Sequence, residues 1–378
     1  MNREYIAELL QIAERNLLDL EKAKAAGRLV VGFYCLYSPV EIALAADAVA
    51  LPLCGTRNDP IASAEEILPR NLCPLIKSSF GVAATDSCPY FHLADIIVGD
   101  TTCDGKKKMF ELLNNYKPTH VLQLPQTQDS PMALVQWRHE LARLQSIIEE
   151  ASGRRIDDER LRAAIRLMNR NRLVRKAVMD LNRMQPAPLP GSMLLELLFK
   201  LGFLTDREQG ITLMEKLART AAAGNPGERS GSGRSRILLT GVPVGLGSDK
   251  VVRLVEQCGA DVVAFENCSG YKQAFVVDEE MEPMEALARQ YLATPCSVMS
   301  PNAGRLTLLA QMIEDFAVDG VIDLTWQACH TYNIEAYPVE RFIRQRFDLP
   351  TLHLETDYAE SDSEQLRVRI EAYLEMLG

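Results

Sequence analysis

The chain has 378 residues, 47% hydrophobic and 24% charged, with 41 basic and 51 acidic side chains for a formal charge of −10. That length and composition predict about two globular domains with real cores. The acidic balance, with no basic tract beyond Lys106 to Lys108, excludes nucleic acid as the main partner.

In chain order, MNREYIAELLQIAERNLLDLEKAK reads as a charged amphipathic helix and not as a basic segment followed by an apolar leader. No apolar run reaches the ~18 residues of a membrane span, so a soluble, cytoplasmic chain without a membrane partner is expected. RLVVGFYC (28–35) reads as a buried strand ending in a cysteine, and Pro39 opens a helix, a position that suits proline. A second strand, 49–53, ends at Cys54. Cys73 and Cys88 each precede a proline. ADIIVGDTTCDGKKKMFELL (94–113) is a strand, a turn that presents Cys103, and a helix opened by three lysines. THVLQLP (119–125) is a further strand. Strand and helix in alternation predict a parallel sheet with helices on its faces, and ligands bind beyond the carboxyl ends of such strands.

Residues 131 to about 220 carry the helical period of ~3.6 with charged outer faces, and the Gly/Ser/Arg-rich 221–236 reads as a linker. A second lobe then begins. RILLTGVPVG, ADVVAFENCSG, DGVIDLTWQACHTYNIEAY and LPTLHLETD are strand-bearing segments separated by helices. The expected organisation is an α/β lobe over 1–130, a helical connecting segment over 131–235 and an α/β lobe over 236–378. The two lobes align as a weak repeat of pattern that gives Cys103 and Cys329 equivalent places at strand ends, facing one cleft.

Nine cysteines with no C-x-x-C pair exclude a zinc ribbon, a thioredoxin motif or a ferredoxin run. Cys54 and Cys258 read as small hydrophobes. Cys35, Cys73, Cys88, Cys103, Cys268, Cys296 and Cys329 all fall in turns or at strand ends, beside Pro, Gly, Ser, Thr or Asp, where backbone N–H groups can donate to sulfur. Thiolates bind zinc, copper(I) or iron–sulfur clusters, and scattered ligands favour the cluster.

NLCPLIKSS (71–79), TTCDGKKKMFE (101–111), FENCSG (265–270) and QACHTYNIE (327–335), in this order along the chain, resemble the 2-hydroxyacyl-CoA dehydratase D-component family, and within it the branch of double-cubane cluster proteins. The resemblance implies two flavodoxin-like lobes clasping an iron–sulfur cluster, a homodimer, a small-molecule substrate and a separate ATP-hydrolysing activator with its own iron–sulfur cluster. In the dehydratase branch a [4Fe-4S] cluster has three cysteine ligands, and Cys73, Cys103 and Cys329 match those positions. In the double-cubane branch an [8Fe-9S] cluster has six, and Cys35, Cys88, Cys268 and Cys296 supply further candidates. Seven candidates exceed six ligands.

Lys106 to Lys108 would favour an electron-rich cluster if one pointed inward, although exposed lysines are the commoner case. Gly241, Gly245 and Gly247 form neither G-x-G-x-x-G nor a P-loop, so the chain is not expected to bind ATP. His330 and Glu266, beside Cys329 and Cys268, are the weak catalytic candidates, as proton donors or groups hydrogen-bonded near the ligands. The expected function is the catalytic component of an ATP-dependent low-potential reductase. A [4Fe-4S] dehydratase subunit (a lyase) and a non-catalytic electron carrier stand as alternatives.

Overall fold

Short runs of Val, Ile and Leu bounded by Gly, Pro and Asp build the sheets. A computed structural model describes residues 3–223 and 233–377; residues 224–232 of the expected linker lie outside the described residues. The first lobe contains α1 (Arg3–Ala25), β1 (Val30–Tyr34), α2 (Val40–Ala45), β2 (Val49–Leu53), α3 (Ile61–Ala64), α4 (Pro74–Thr85), α5 (Pro89–Leu93), β3 (Ile96–Asp100), α6 (Asp104–Leu113) and β4 (Thr119–Leu122). Its four strands are parallel, in the order β2-β1-β3-β4. Side chains alternate across this sheet: Val31, Phe33, Ile96 and Val98 enter one core, and Val30, Tyr34 and Ile97 the other. Burial on both faces accounts for the near-continuous apolar strands.

Four long helices follow: α7 (Pro131–Ser152), α8 (Asp158–Asp180), α9 (Gly191–Gly202) and α10 (Arg207–Ala223). Trp137, Leu141, Leu144 and Ile148 of α7 and Leu161 and Ile165 of α8 cover one face of the first sheet. The second lobe contains β5 (Arg236–Gly241), α11 (Lys250–Gln257), β6 (Asp261–Phe265), α12 (Pro283–Leu292), α13 (Ala303–Asp315), β7 (Gly320–Trp326), α14 (His330–Phe347), β8 (Thr351–Thr356) and α15 (Ser363–Glu375). Its sheet is again parallel and repeats the order, β6-β5-β7-β8. Two four-stranded parallel sheets bear out the strand–helix alternation, and their order makes the two flavodoxin-like lobes that the family resemblance implies.

In such a sheet the crevice lies where the strand order reverses, between β1 and β3 in the first lobe and between β5 and β7 in the second. Those two ends face each other. Tyr37 donates to the Thr294 carbonyl (3.0 Å) and Tyr358 to the Gly55 carbonyl (2.8 Å). The buried Glu41 of α2 accepts from Arg172 of α8 (2.5 Å) and Tyr291 of α12 (2.7 Å), joining both lobes to the helical segment. The glycine turn after β5 belongs to the same contact. A Cβ on Gly245 would stand 2.7 Å from Phe199 and Thr56, so close packing between elements accounts for that glycine.

Candidate functional site

The inter-lobe cleft is lined by sulfur. Cys35 leaves β1 and Cys103 follows β3, flanking the switch point of the first lobe, and Cys329 follows β7 in the second. Four cysteines stand at helix N-caps: Cys73 for α4, Cys88 for α5, Cys103 for α6 and Cys329 for α14. Pro74 and Pro89 occupy first-turn positions that need no donor. The Lys106 N–H donates to Cys103 Sγ at 3.4 Å. Free N–H groups and the positive end of a helix favour a thiolate. Cys35 has φ 83° and Ala328, just before Cys329, φ 61°. Left-handed backbone costs a non-glycine residue about 1–3 kcal/mol and clusters at functional sites.

The thiols fall into two groups. Cys73 and Cys329 face each other: Cys329 pushes the Cys73 thiol up, and the same contact, with the Tyr332 N–H and Thr331 hydroxyl, outweighs burial and brings Cys329 down to about 7. Cys103 is the third member; burial raises its pKa, the Lys106 N–H opposes this, and Cys329 adds to the rise. The second group is Cys35, Cys268 and Cys296. Burial raises Cys35, and Asp100, Cys268 and Cys296 raise it further. Burial and Cys296 take Cys268 up to about 12. Each group draws on both lobes.

Two side chains connect the groups. Lys106 is buried, whereas Lys107 and Lys108 lie outside in pairs with Asp104 and Glu111. Burial works against the Lys106 charge, but Cys35, Asp100, Cys103 and Cys54 hold its pKa above the ordinary lysine range. Its Nζ lies 3.9 Å from Asp100 Oδ1, and burial takes the Asp100 carboxyl up to about 6 against the pull of that ammonium. Tyr332 serves the first group through its N–H at Cys329 and the second through its hydroxyl, 3.9 Å from Cys296 Sγ. Lys272 Nζ donates to the same hydroxyl (3.1 Å) and pairs with Glu266 (3.0 Å).

Glu266 is fully buried between Lys272 and Arg305 and accepts from Thr240 (2.6 Å). Burial alone would raise its pKa, but the two cations win and lower it. It is therefore a paired carboxylate, not a free acid. His330 is exposed at the first position of α14. Cys88 lines a cavity with Cys54, Tyr90 and Phe203. Cys54, read from sequence as a core hydrophobe, is instead exposed in a cavity wall.

Among the described residues no set of three or more His, Cys, Asp or Glu side chains is arranged to hold a single metal ion. The donor set suits a cluster in its chemistry: six thiols, N–H donors at the helix starts, one buried cation between the groups, and a largely buried surround, the features that ligate and tune iron–sulfur centres. Beside the second group a cavity of about 290 Å³ is lined by Cys35, Cys268, Lys106 and apolar side chains including Phe33, Leu53 and Phe199. Three arginines in its wall, Arg172, Arg175 and Arg207, escape a reading that treats the charges of the helical segment as an outer face. The signal was present: Leu161, Ile165, Met168, Arg172, Arg175 and Met179 continue one buried stripe of α8.

Fold and site define a two-lobed α/β protein with a thiol-lined cleft between strand ends. The profile of the 2-hydroxyglutaryl-CoA dehydratase D-component matches residues 35–377, and the chain belongs to that family. It is 43% identical to the putative dehydratase subunit YjiM of Escherichia coli K12, over 98% of this chain and 96% of that protein. More distant similarity, 22% over 95% of this chain and 94% of the relative, links it to the (R)-phenyllactyl-CoA dehydratase beta subunit of Clostridium sporogenes. It is 20% identical to the (R)-2-hydroxyglutaryl-CoA dehydratase beta subunit of Acidaminococcus fermentans, over 98% of each chain.

Proposed function

We propose that this chain is the catalytic component of an ATP-dependent low-potential reductase, with a double-cubane [8Fe-9S] cluster ligated by Cys73, Cys103 and Cys329 on one side and Cys35, Cys268 and Cys296 on the other. The observation that carries the reading is the division of six thiols into two groups of three, each drawing on both lobes, with Lys106 between them. A [4Fe-4S] site would use the first group alone and leave three desolvated thiols beside it without a task. Cys88 stands aside in this assignment.

When bound, the cluster would supply electrons at low potential. The chain's own residues do the rest. The N–H groups of Lys106 and Tyr332 hold sulfur charge in place, and the Lys106 ammonium offsets the negative charge accumulated between the groups. The mainly apolar side chains of the cavity wall would pack against a small molecule that meets the cluster there. A low-dielectric surround strengthens each of these electrostatic contacts. In this reading the chain works in the cytoplasm as a homodimer and receives electrons from a separate ATP-hydrolysing activator carrying its own iron–sulfur cluster.

The names of the relatives favour a second reading, a dehydratase subunit that acts on a 2-hydroxyacyl-CoA and pairs with an unlike subunit. Anaerobic assays with activator, ATP and a low-potential reductant separate the two. Steady ATP-dependent consumption of reductant with a small-molecule acceptor and no thioester supports the reductase. Conversion of a 2-hydroxyacyl-CoA to its enoyl product, with ATP needed only in catalytic amounts, would replace it with the lyase. Failure of either turnover, with electrons merely passed onward, would leave an electron carrier.

A further inference from the structure

The wall of the 290 Å³ cavity beside Cys35 and Cys268 contains two cations that the protein itself does not neutralise. Arg175 of α8 is 95% buried, being only 5% exposed. Its Nη1 donates to the Leu198 carbonyl (3.1 Å), and its buried Nε has no partner. Arg207, at the start of α10, donates to the carbonyls of Gly202 (2.6 Å) and Ala50 (2.7 Å). Among the described residues neither meets a carboxylate, whereas Arg172, one helical turn from Arg175, is paired with Glu41. Burial lowers both Arg175 and Arg207 to about 10, and Arg207 adds to the fall at Arg175. Both remain charged at neutral pH.

A buried charge without a counter-charge is costly, and proteins keep one where something else supplies the partner. Planar guanidinium groups suit carboxylates, which they can bind in bidentate fashion. The remainder of the wall is mainly apolar, with Phe33, Leu53, Phe199 and Phe203 prominent. A volume of about 290 Å³ lies at the small end of ligand pockets, which run from about 300 to 1,000 Å³. We propose that Arg175 and Arg207 bind the carboxylate of a small organic acid whose short apolar body fills this cavity beside Cys35 and Cys268. The assignment deepens the reductase reading, on which it rests for the role of the bound acid as substrate, and it names the substrate class as a free acid, not a thioester.

Calorimetric titration of the anaerobically prepared full chain tests it, with iron measured in the same samples and butyrate, butyramide, inorganic phosphate and butyryl-CoA as probes. Butyrate is expected to saturate one site and butyramide to bind at least about tenfold more weakly, the loss expected when a charge-assisted contact is removed. Arg175→Met should lose that preference while keeping its iron, and without ligand should melt at or above the unaltered chain, since it removes an unpaired buried charge. Arg207→Met should lose the same preference and decides the matter where Arg175→Met does not fold. Equal binding of butyrate and butyramide, tighter binding of phosphate, binding of butyryl-CoA without butyrate, or unchanged butyrate affinity in both variants would each overturn the proposal. Low iron with intact butyrate binding counts against the cluster reading alone; full iron without butyrate binding counts against this one alone.

Discussion

The two thiol groups sit within one cleft, and what separates them is Cys329, the one thiol of the six whose surroundings lower its pKa. Cys73, Cys103 and Cys329 cap helices and receive N–H donors, and Cys329 is lowered to about 7. Cys35 and Cys268 are dominated by burial and face carboxylates: Asp100 raises the first and Glu266 the second, with Cys268 reaching about 12. Within the first group Cys329 is the member ready to bind metal as a thiolate near neutral pH, while contact with Cys329 and burial keep Cys73 and Cys103 raised. The second depends on cations, Lys106 and the Lys272–Glu266–Arg305 network, to offset its surroundings. The two lobes share a strand order but divide these tasks unequally, since the buried ionic network belongs wholly to the second lobe.

The largest expected contrast is in reactivity. In reduced, metal-free protein at pH 7, Cys329 should alkylate at least about a hundredfold faster than Cys268, because the thiolate is the nucleophile and its fraction falls about tenfold for each pH unit below the pKa. The rate at Cys329 should rise as pH passes through about 7, as mass-spectrometric mapping of a timed iodoacetamide reaction would record. Equal rates would remove the distinction between the groups.

Next in size is Lys272→Met. It leaves Glu266 buried with a weakened set of partners, and breaking a buried ion pair from one side costs about 3–5 kcal/mol. Urea unfolding should show that loss. A smaller effect attaches to Asp323, which is buried, has no hydrogen bond to either carboxylate oxygen, and is raised to about 6 by burial despite Arg305. The folded chain holds this proton more tightly than the unfolded one, in which aspartate titrates near 3.9. Its contribution to stability is full below about pH 4 and is lost as pH rises through about 6, a change of roughly 3 kcal/mol. Asp323→Asn should flatten that part of the stability profile. Smallest of all is Cys88→Ser, expected to shift unfolding free energy by no more than about 0.5 kcal/mol and to leave iron content unchanged.

Much of this was legible in sequence because it rests on local pattern. Apolar runs before Cys35, Cys103 and Cys329 marked strand ends, and strand–helix alternation marked parallel sheets, so the cleft followed from topology. The inward turn of Lys106 was also written there, since Lys106, Met109, Phe110 and Leu113 share the buried stripe of α6. What sequence could not supply is which cysteines meet. Cys73 and Cys329 are 256 positions apart in the numbering, and only the docking of the lobes makes them neighbours. The same holds for Glu266, whose place beside Cys268 suggested a proton donor until Lys272 and Arg305 were found closing on it.

Iron and acid-labile sulfide per chain, measured on anaerobically reconstituted protein, test the central claim most directly. The account predicts about eight irons at full loading, the content of two joined cubanes, with loss of iron on Cys35→Ser or Cys268→Ser as well as on Cys103→Ser. Full loading at about four irons, unchanged by Cys35→Ser and Cys268→Ser, would contradict it and leave a single cubane on Cys73, Cys103 and Cys329.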